Sequence, residues 1–343
     1  MRSSFLLEPN DGDWERWVQA QPSANSFHHP AWTELISTCY GYRSGTMVVR
    51  DPLGQITAGL SMMEVKGFSR ASRWVALPFT DHCSPLFSTP NSLDELLQAL
   101  SIQFQRAGWS RLEVRWDLPS LSSANVISHY VLHQMDLEED PNQVRSRFHS
   151  MHRRNIKIAE KSGIQIRQGS SEQHLREFYR LHLMTRQRQG MPTQPWRFFK
   201  LLGKLLLEKD LGFIILAYQG EECVAASLFL KWQKTLMYKY GASSPTSLQY
   251  RPNNLVMWNA IRWGCENGFT VFDLGRTDNE NTGLRQFKSG WGAQETPLAY
   301  TVLSQKPEQE GVGHLQHLIQ KIIQNSPIWV SQLTGQLFYR YFG

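Results

Sequence analysis

Asp273-Leu274-Gly275-Arg276-Thr277 places an acid, a glycine and a fixed cation at the end of an apolar run from Thr270 to Leu274. Asn281, Gly283-Leu284, Phe287-Lys288 and Trp291-Gly292 follow, and a short helix is expected to carry Phe287 and Lys288 toward the Trp-Gly stop. Charges just past a strand end, where backbone donors are also free, suit a grip on an anionic or polarised group. Lys288 and Arg276 are the candidates for steadying negative charge. Asp273 would position Arg276, and Asn281 and Phe287 join the candidate binding set. The competing reading is a solvated loop with a structural Asp–Arg pair.

Three further clusters could do chemistry or bind. Asp81-His82 follows the buried-looking strand Trp74 to Leu77, where a side chain would emerge at an inter-domain cleft. An amine must lose a proton before it attacks an activated carbonyl, and Asp81 aided by His82 could accept or orient that proton. The alternative is a turn aspartate bonded to nearby backbone. Arg251 and Asn253 stand at the expected start of a helix, Asn254 to Glu266, after a strand that ends at Tyr240. Arg251 and Asn253 could reach a phosphate there, and Tyr240 joins the same candidate set. A helix capped by Asn142 and running to Lys161 would carry Val144, Phe148, Met151 and Ile158 on one face. Arg147, Arg153, Arg154, Lys157 and Lys161 would spread over an opposing arc of roughly 120°. That arc is either a solvated face or a track for phosphates, with Arg153, Arg154 and Lys157 as its candidate contacts.

Hydrophobic periodicity supplies the elements that would hold these residues, and it supplies them twice. The first half reads as a strand (Ser4 to Leu7), helices near Asp13 to Gln19 and Ala31 to Cys39, and strands at Thr46 to Arg50, Ile56 to Val65 and Trp74 to Leu77. A helix from Leu93 to Ala107, capped by Ser92 or Asn91, and strands Arg111 to Trp116 and Val131 to Met135 complete it. The second half repeats the order: strand Ile164 to Arg167, helices Glu172 to Gln187 and Trp196 to Glu208, and strands Phe213 to Tyr218, Val224 to Trp232 and Leu236 to Tyr240. The helix Asn254 to Glu266, strand Val271 to Leu274, the short helix with Lys288 and strand Leu298 to Leu303 follow. This is an α/β (α+β) pattern divided as 1–140, 141–305 with the basic linking helix, and a 306–343 extension of two helices broken at Ser326-Pro327.

The 343 residues, 41% of them hydrophobic, are enough for two ordinary domains with real cores. Four scattered cysteines (Cys39, Cys83, Cys223, Cys265) show no metal spacing and argue against a disulfide framework. Cys83 beside His82 is read as structural rather than as a nucleophile. No apolar stretch is long enough to span a membrane, and the N-terminus lacks an apolar signal core. A cytoplasmic enzyme without a metal is expected. The net charge of +6 points to anionic partners only where it is clustered.

Asp-Leu-Gly-Arg-Thr at 273–277, Phe287-Lys288, Trp291-Gly292-Ala293, Pro297-Leu298 and Tyr300 resemble the C-terminal signature of the FemAB-like branch of the GNAT acyltransferases. Phe27-His28-His29-Pro30-Ala31-Trp32 with Gly41-Tyr42 resembles that branch's opening segment. Arg153-Arg154-Asn155-Ile156 through Gly163 resembles its central basic helix. The resemblance runs from about residue 25 to about residue 303. It implies tandem GNAT folds and an acyltransferase acting on an amine of a cell-envelope precursor, such as a peptidoglycan or polysaccharide intermediate. It also implies an acid in the Asp81 loop contacting the amine-bearing acceptor, although Leu77-Pro78-Phe79-Thr80-Asp81-His82 departs from the bridge enzymes' wording. The donor would be aminoacyl-tRNA or acyl-CoA, with no cofactor tightly bound. Neither Pro78 to Cys83 nor Gly241 to Asn253 has the glycine spacing of an ordinary CoA pyrophosphate loop, which mildly favours a donor bound otherwise. The partners implied are an anionic envelope precursor and tRNA. The aromatic-basic end at Tyr339-Arg340-Tyr341 leaves room for weak peripheral contact with the inner membrane surface. A reading of another class is an inactive tandem GNAT that serves as an RNA-binding or envelope-enzyme scaffold.

Overall fold

The computed structural model describes residues 4–7, 11–66, 72–118, 121, 124–305, 323, 324, 332, 335 and 339. The chain forms two compact units. Among the described residues, one unit takes those up to Tyr130 and then Pro297 to 305. The other takes Val131–Thr296 and the described residues from Ile323 to Tyr339.

In the first unit, β1 (Ser4–Leu7), α1 (Gly12–Gln19) and α2 (Pro30–Tyr40) precede β2 (Arg43–Arg50), β3 (Ile56–Lys66) and β4 (Ser72–Val75). The short β5 (Leu86–Phe87) leads to α3 (Pro90–Arg106) and β6 (Arg111–Val114). The strands order as β1-β2-β3-β4-β6, with β4 and β6 parallel, and β5 adds to β3. The core packs α3 leucines on Leu60, Met62, Trp74, Leu112 and Val114. Helix α3 starts earlier than periodicity predicts. Thr89 and Ser92 form a reciprocal capping box, and Pro90 occupies the first turn, where its missing N–H costs nothing.

β7 (Asn125–Asp136) crosses the division between the units. The second unit continues with α4 (Pro141–Ser146), α5 (Ser150–Lys161), β8 (Gln165–Gly169), α6 (Glu172–Gln189) and α7 (Trp196–Leu202), the last extended by a π-helical turn over Gly203–Leu207. Next come β9 (Gly212–Gln219), β10 (Glu222–Trp232), β11 (Thr235–Ser243), α8 (Pro252–Glu266), β12 (Val271–Asp278), α9 (Thr282–Ser289) and β13 (Gln294–Ser304). Its strands order as β7-β12-β11-β10-β9-β8. The core joins α5 and α8 to the sheet through Ile156, Val256, Ile261, Phe229 and Phe272. The far part of β13 serves the first unit, where Thr301 to Ser304 pair antiparallel with β6.

The single helix expected from Asn142 to Lys161 is two helices. Asp140, not Asn142, caps α4, and His149 caps α5 by accepting from the Met151 N–H. The break is imposed by tertiary contacts: Phe148 is buried edge-on against Trp258 and Trp291, and the His149 N–H donates to the Gly290 carbonyl at 2.7 Å. It also resets the buried face of α5 to His152, Ile156 and Ala159, leaving Met151 exposed. The helical tail expected over 313–343 lies largely outside the described residues. Of those described there, Ile323 and Tyr339 are buried.

Candidate functional site

Strands β11 and β12 pair in parallel only from Thr235–Val271 to Met237–Asp273, although both run on. On its other side β11 pairs with β10 through a bulge: Tyr240 faces Leu228 and Tyr238 faces Phe229, with Lys239 as the extra residue of the bulge. One extra residue turns the next side chains to the other face. Tyr238 therefore lines a cleft, while Tyr240 packs with His182, Phe198 and Phe199 and accepts from the Gln194 amide at 3.2 Å. The bulge has no hydrophobic signature in the sequence.

The cleft has a volume of about 460 Å³. It is lined by the far half of β11, the start of α8, the end of α6, His152 and Asn155 of α5, and Phe287 of α9. Gly241 is required by close approach: a Cβ there would lie 1.8 Å from the Tyr238 hydroxyl. Burial pushes the Tyr238 phenol up to about 12, so it stays protonated at neutral pH. Helix α8 opens from Arg251, itself left-handed at φ 57°, without a side-chain cap. Pro252 has no N–H and the Asn254 N–H donates to the Arg251 carbonyl at 3.0 Å, so this helix end offers an anion its dipole and the Asn253 N–H. Arg251, Asn253 and Arg188 line the cleft there, and Asn253 donates to the Ser243 hydroxyl at 3.1 Å.

Lys288 is only 4% exposed and donates to the carbonyls of Gly275 at 3.0 Å and Arg276 at 2.8 Å. Gly275 sits inside β12 with φ +70°, a conformation that favours glycine. β12 runs on to Asp278, so Gly275 and Arg276 belong to a kinked strand rather than to a loop past its end. Asp273 is buried; its carboxylate accepts from the Gly275 N–H at 2.7 Å and from the Gln134 amide at 3.1 Å. Asn281 caps α9 by accepting from the Leu284 N–H. The 273–288 segment is thus gathered as one clasp around the kink. Phe287 lines the cleft; the neighbouring Lys288 ammonium is turned to the backbone.

Arg153 donates to the carbonyls of Ser146 and Phe148, closing the end of α4, and Arg147 donates to the Asp136 carbonyl. Two of the five basic residues are therefore engaged with backbone. Arg154, Lys157 and Lys161 are exposed on α5.

In the first unit the Asp81-His82 segment is held from several directions. Leu77 and Phe79 are both left-handed, at φ 53° and 63°, a strained arrangement for side chains of their size. The Thr80 hydroxyl donates to the Leu77 carbonyl, Arg115 to the Thr80 carbonyl at 2.6 Å, and the Tyr300 hydroxyl to the Asp81 carbonyl at 2.5 Å. His28 accepts from the Asn25 N–H through Nδ1 and bonds the Ser84 carbonyl at 2.9 Å through Nε2. A carbonyl only accepts, so Nε2 carries the proton. Burial drives the His28 imidazole down to about 4. His82 is buried beside Phe27 and Trp116, with Asn25 Nδ2 3.3 Å from its Nδ1. Burial pushes the Cys83 thiol up to about 12, which leaves no thiolate at neutral pH. Asp81 is half-buried at the tip of this braced loop.

His152 was not singled out by its sequence context. It is fully buried, stacks on Trp291 with ring centroids 4.2 Å apart, and bonds both Asn254 of α8 and the Phe287 carbonyl of α9. Among the described residues no group of three or more His, Cys, Asp or Glu is placed to hold a metal, and no helix is long and apolar enough to cross a membrane.

Residues 146–289 match the model of the acetyltransferase (GNAT) domain family. The chain is 24% identical over 127 residues to the UDP-N-acetylmuramoylpentapeptide-lysine N(6)-alanyltransferase of Weissella viridescens, an alignment covering 37% of each protein. It thus spans little more than a third of that relative's length. Among solved structures it superposes on FemX with a TM-score of 0.70 at 15% identity, covering 93% of this chain and all of the other. It also superposes on a tandem GNAT protein from the clavulanic acid biosynthesis pathway, with a TM-score of 0.52 at 10% identity, covering 90% and 100%. The tandem order of elements read from the sequence agrees with these likenesses. The chain has the tandem GNAT fold of these structures, its residues 146–289 match the GNAT domain family, and over about a third of its length it is similar to a Fem-type alanyltransferase.

Proposed function

We propose that the protein is an N-acyltransferase that moves an aminoacyl group from aminoacyl-tRNA to an amine on an anionic cell-envelope precursor, such as a peptidoglycan intermediate. The observation that carries this reading is the cleft beside the parted β11 and β12, which combines the start of α8, Arg251, Asn253 and Arg188 in one place. Donor phosphate at the start of α8 would leave the reacting carbonyl near Tyr238 and Phe287. The Weissella relative is an alanyltransferase to a muramoyl-pentapeptide lysine, which supplies the acceptor class. Asp81 would meet the acceptor amine, and Arg154, Lys157 and Lys161 would meet donor phosphates. Contact with the inner membrane surface would follow if the precursor is lipid-linked.

The uncapped α8 start specifically favours a second reading, with acyl-CoA as the donor, since its dipole and the Asn253 N–H suit a pyrophosphate. The protein is to be incubated with a charged tRNA mixture or with acetyl-CoA, and a muramoyl-pentapeptide nucleotide as acceptor, and followed by mass spectrometry. A mass gain of one amino acid supports the first reading and a gain of one acetyl group the second. No gain with either donor, on this acceptor or on amino-sugar nucleotides, sinks the acyltransferase reading.

A further inference from the structure

We propose that His152 is the positioning residue of this cleft, coupling the start of α8 to the Phe287-Lys288 segment so that both present one fixed surface to the donor. This deepens the acyltransferase reading and rests on it for its catalytic consequence, though not for its structural one.

The Phe287 carbonyl, 3.0 Å from Nε2, only accepts, so Nε2 carries the proton. Nδ1 is then an acceptor, and the Asn254 amide nitrogen, 2.8 Å away, donates to it. A single neutral ring thus bridges the first turn of α8 and the last turn of α9. Burial holds the imidazole below its ordinary range, and nearby His149 acts in the same direction. The ring plane is fixed as well, stacked on Trp291 at 16° and edge-on to Phe287. The chain makes room for this: a Cβ on Gly290 would lie 2.6 Å from His152 Nε2. The His149 N–H meanwhile holds the Gly290 carbonyl, so the helix break and the ring secure the same turn. Asn254, His152 and Phe287 all line the cleft, and both ring nitrogens are occupied by protein. The ring therefore orients its neighbours rather than taking a proton from substrate.

His152→Phe keeps the stacked ring and removes both hydrogen bonds; His152→Gln restores a donor and an acceptor. Gly290→Ala displaces the ring without altering it. Hydrogen–deuterium exchange of residues 253–257 and 284–292 is measured together with turnover of the folded fraction. Exchange is expected to rise in both segments in His152→Phe, and kcat to fall on the order of 10²-fold with acceptor KM little changed, as for a misplacement near 1 Å. His152→Gln should recover part of the loss. The His152→Phe and Gly290→Ala losses should not add, because they act on one contact. Wild-type turnover in His152→Phe with only a lowered melting temperature overturns the positioning role. Unchanged exchange in both segments overturns the coupling itself. If the wild-type protein transfers nothing, the acyltransferase reading fails and exchange alone decides the coupling.

Discussion

Lys288→Met separates two roles for the buried lysine. The substitution keeps a flexible apolar stem of similar length and deletes the ammonium. Two carbonyls, those of Gly275 and Arg276, lose donors at 3.0 and 2.8 Å. A buried acceptor left unsatisfied costs about 1–3 kcal/mol. Relief of the ammonium's own desolvation offsets part of this, so a net loss of about 2–4 kcal/mol is expected. For a unit of this size each kcal/mol lowers the melting temperature by about 2–4 °C, which places the shift near 10 °C. A second signal comes from His133, whose imidazole is held low by burial and then by the Lys288 charge. Its pKa should rise in Lys288→Met, as read from the imidazole NMR titration. Differential scanning calorimetry and that titration test the clasp. A melting temperature unchanged within 1 °C, with His133 titrating as before, refutes it. Should Lys288 also steady developing negative charge, turnover of the folded fraction falls by about 10²–10³-fold. Unchanged turnover refutes that role alone.

Acid should loosen both units. His28 falls from 6.5 to about 4 and His182 from 6.5 to about 3, both chiefly by burial, so the unfolded chain takes up their protons first as pH drops. The stability they support is present above pH 6.5 and is lost as pH falls toward those lower values, at about 1.4 kcal/mol per unit for each. Urea unfolding at pH 7 and pH 5 should differ by about 2 kcal/mol per histidine; equal midpoints would contradict it. Gly241→Ala forces a Cβ to within 1.8 Å of the Tyr238 hydroxyl, so about 1–3 kcal/mol of stability and donor-induced thermal stabilisation should be lost together. A variant that still responds to donor like the wild type would place the donor elsewhere. With Arg147 and Arg153 engaged by backbone, three exposed cations on α5 predict a log–log salt slope for tRNA near −2, at roughly −0.7 per phosphate. A slope near zero would leave α5 a solvated face.

Period and punctuation made the elements legible because the helices have one buried face, the central strands such as β9 and β10 are short apolar runs, and glycine, proline or polar caps mark many of their ends. What escaped was set by contacts distant in sequence. Nothing local marks Arg147 to His149 as a break, since the residues that force it are Gly290, Trp291 and Trp258. Tyr238 and Tyr240 share a parity that should place them on one face; the bulge at Lys239 separates them. Candidate site residues fared according to how their chemistry is met by the backbone. Arg251, Asn253 and Phe287 line the cleft. Arg153, Asn281 and Lys288 make backbone bonds that residue type alone does not foretell.

Residues in and beside the three sequence patches that carry the family resemblance form two clamps. Asn25 and His28 of the opening segment and Tyr300 of the last patch brace one loop, residues 80–84, from its two ends. His149 and His152, just before Arg153, meet Phe287 and Gly290 of the C-terminal signature. Each clamp pins carbonyl groups of a loop or a helix end, groups that would otherwise be left without partners. A motif residue that holds backbone can be exchanged only if its partner's geometry moves with it, so such residues are constrained without touching a substrate. Half-buried Asp81 and the start of α8 are then what those constraints hold in place.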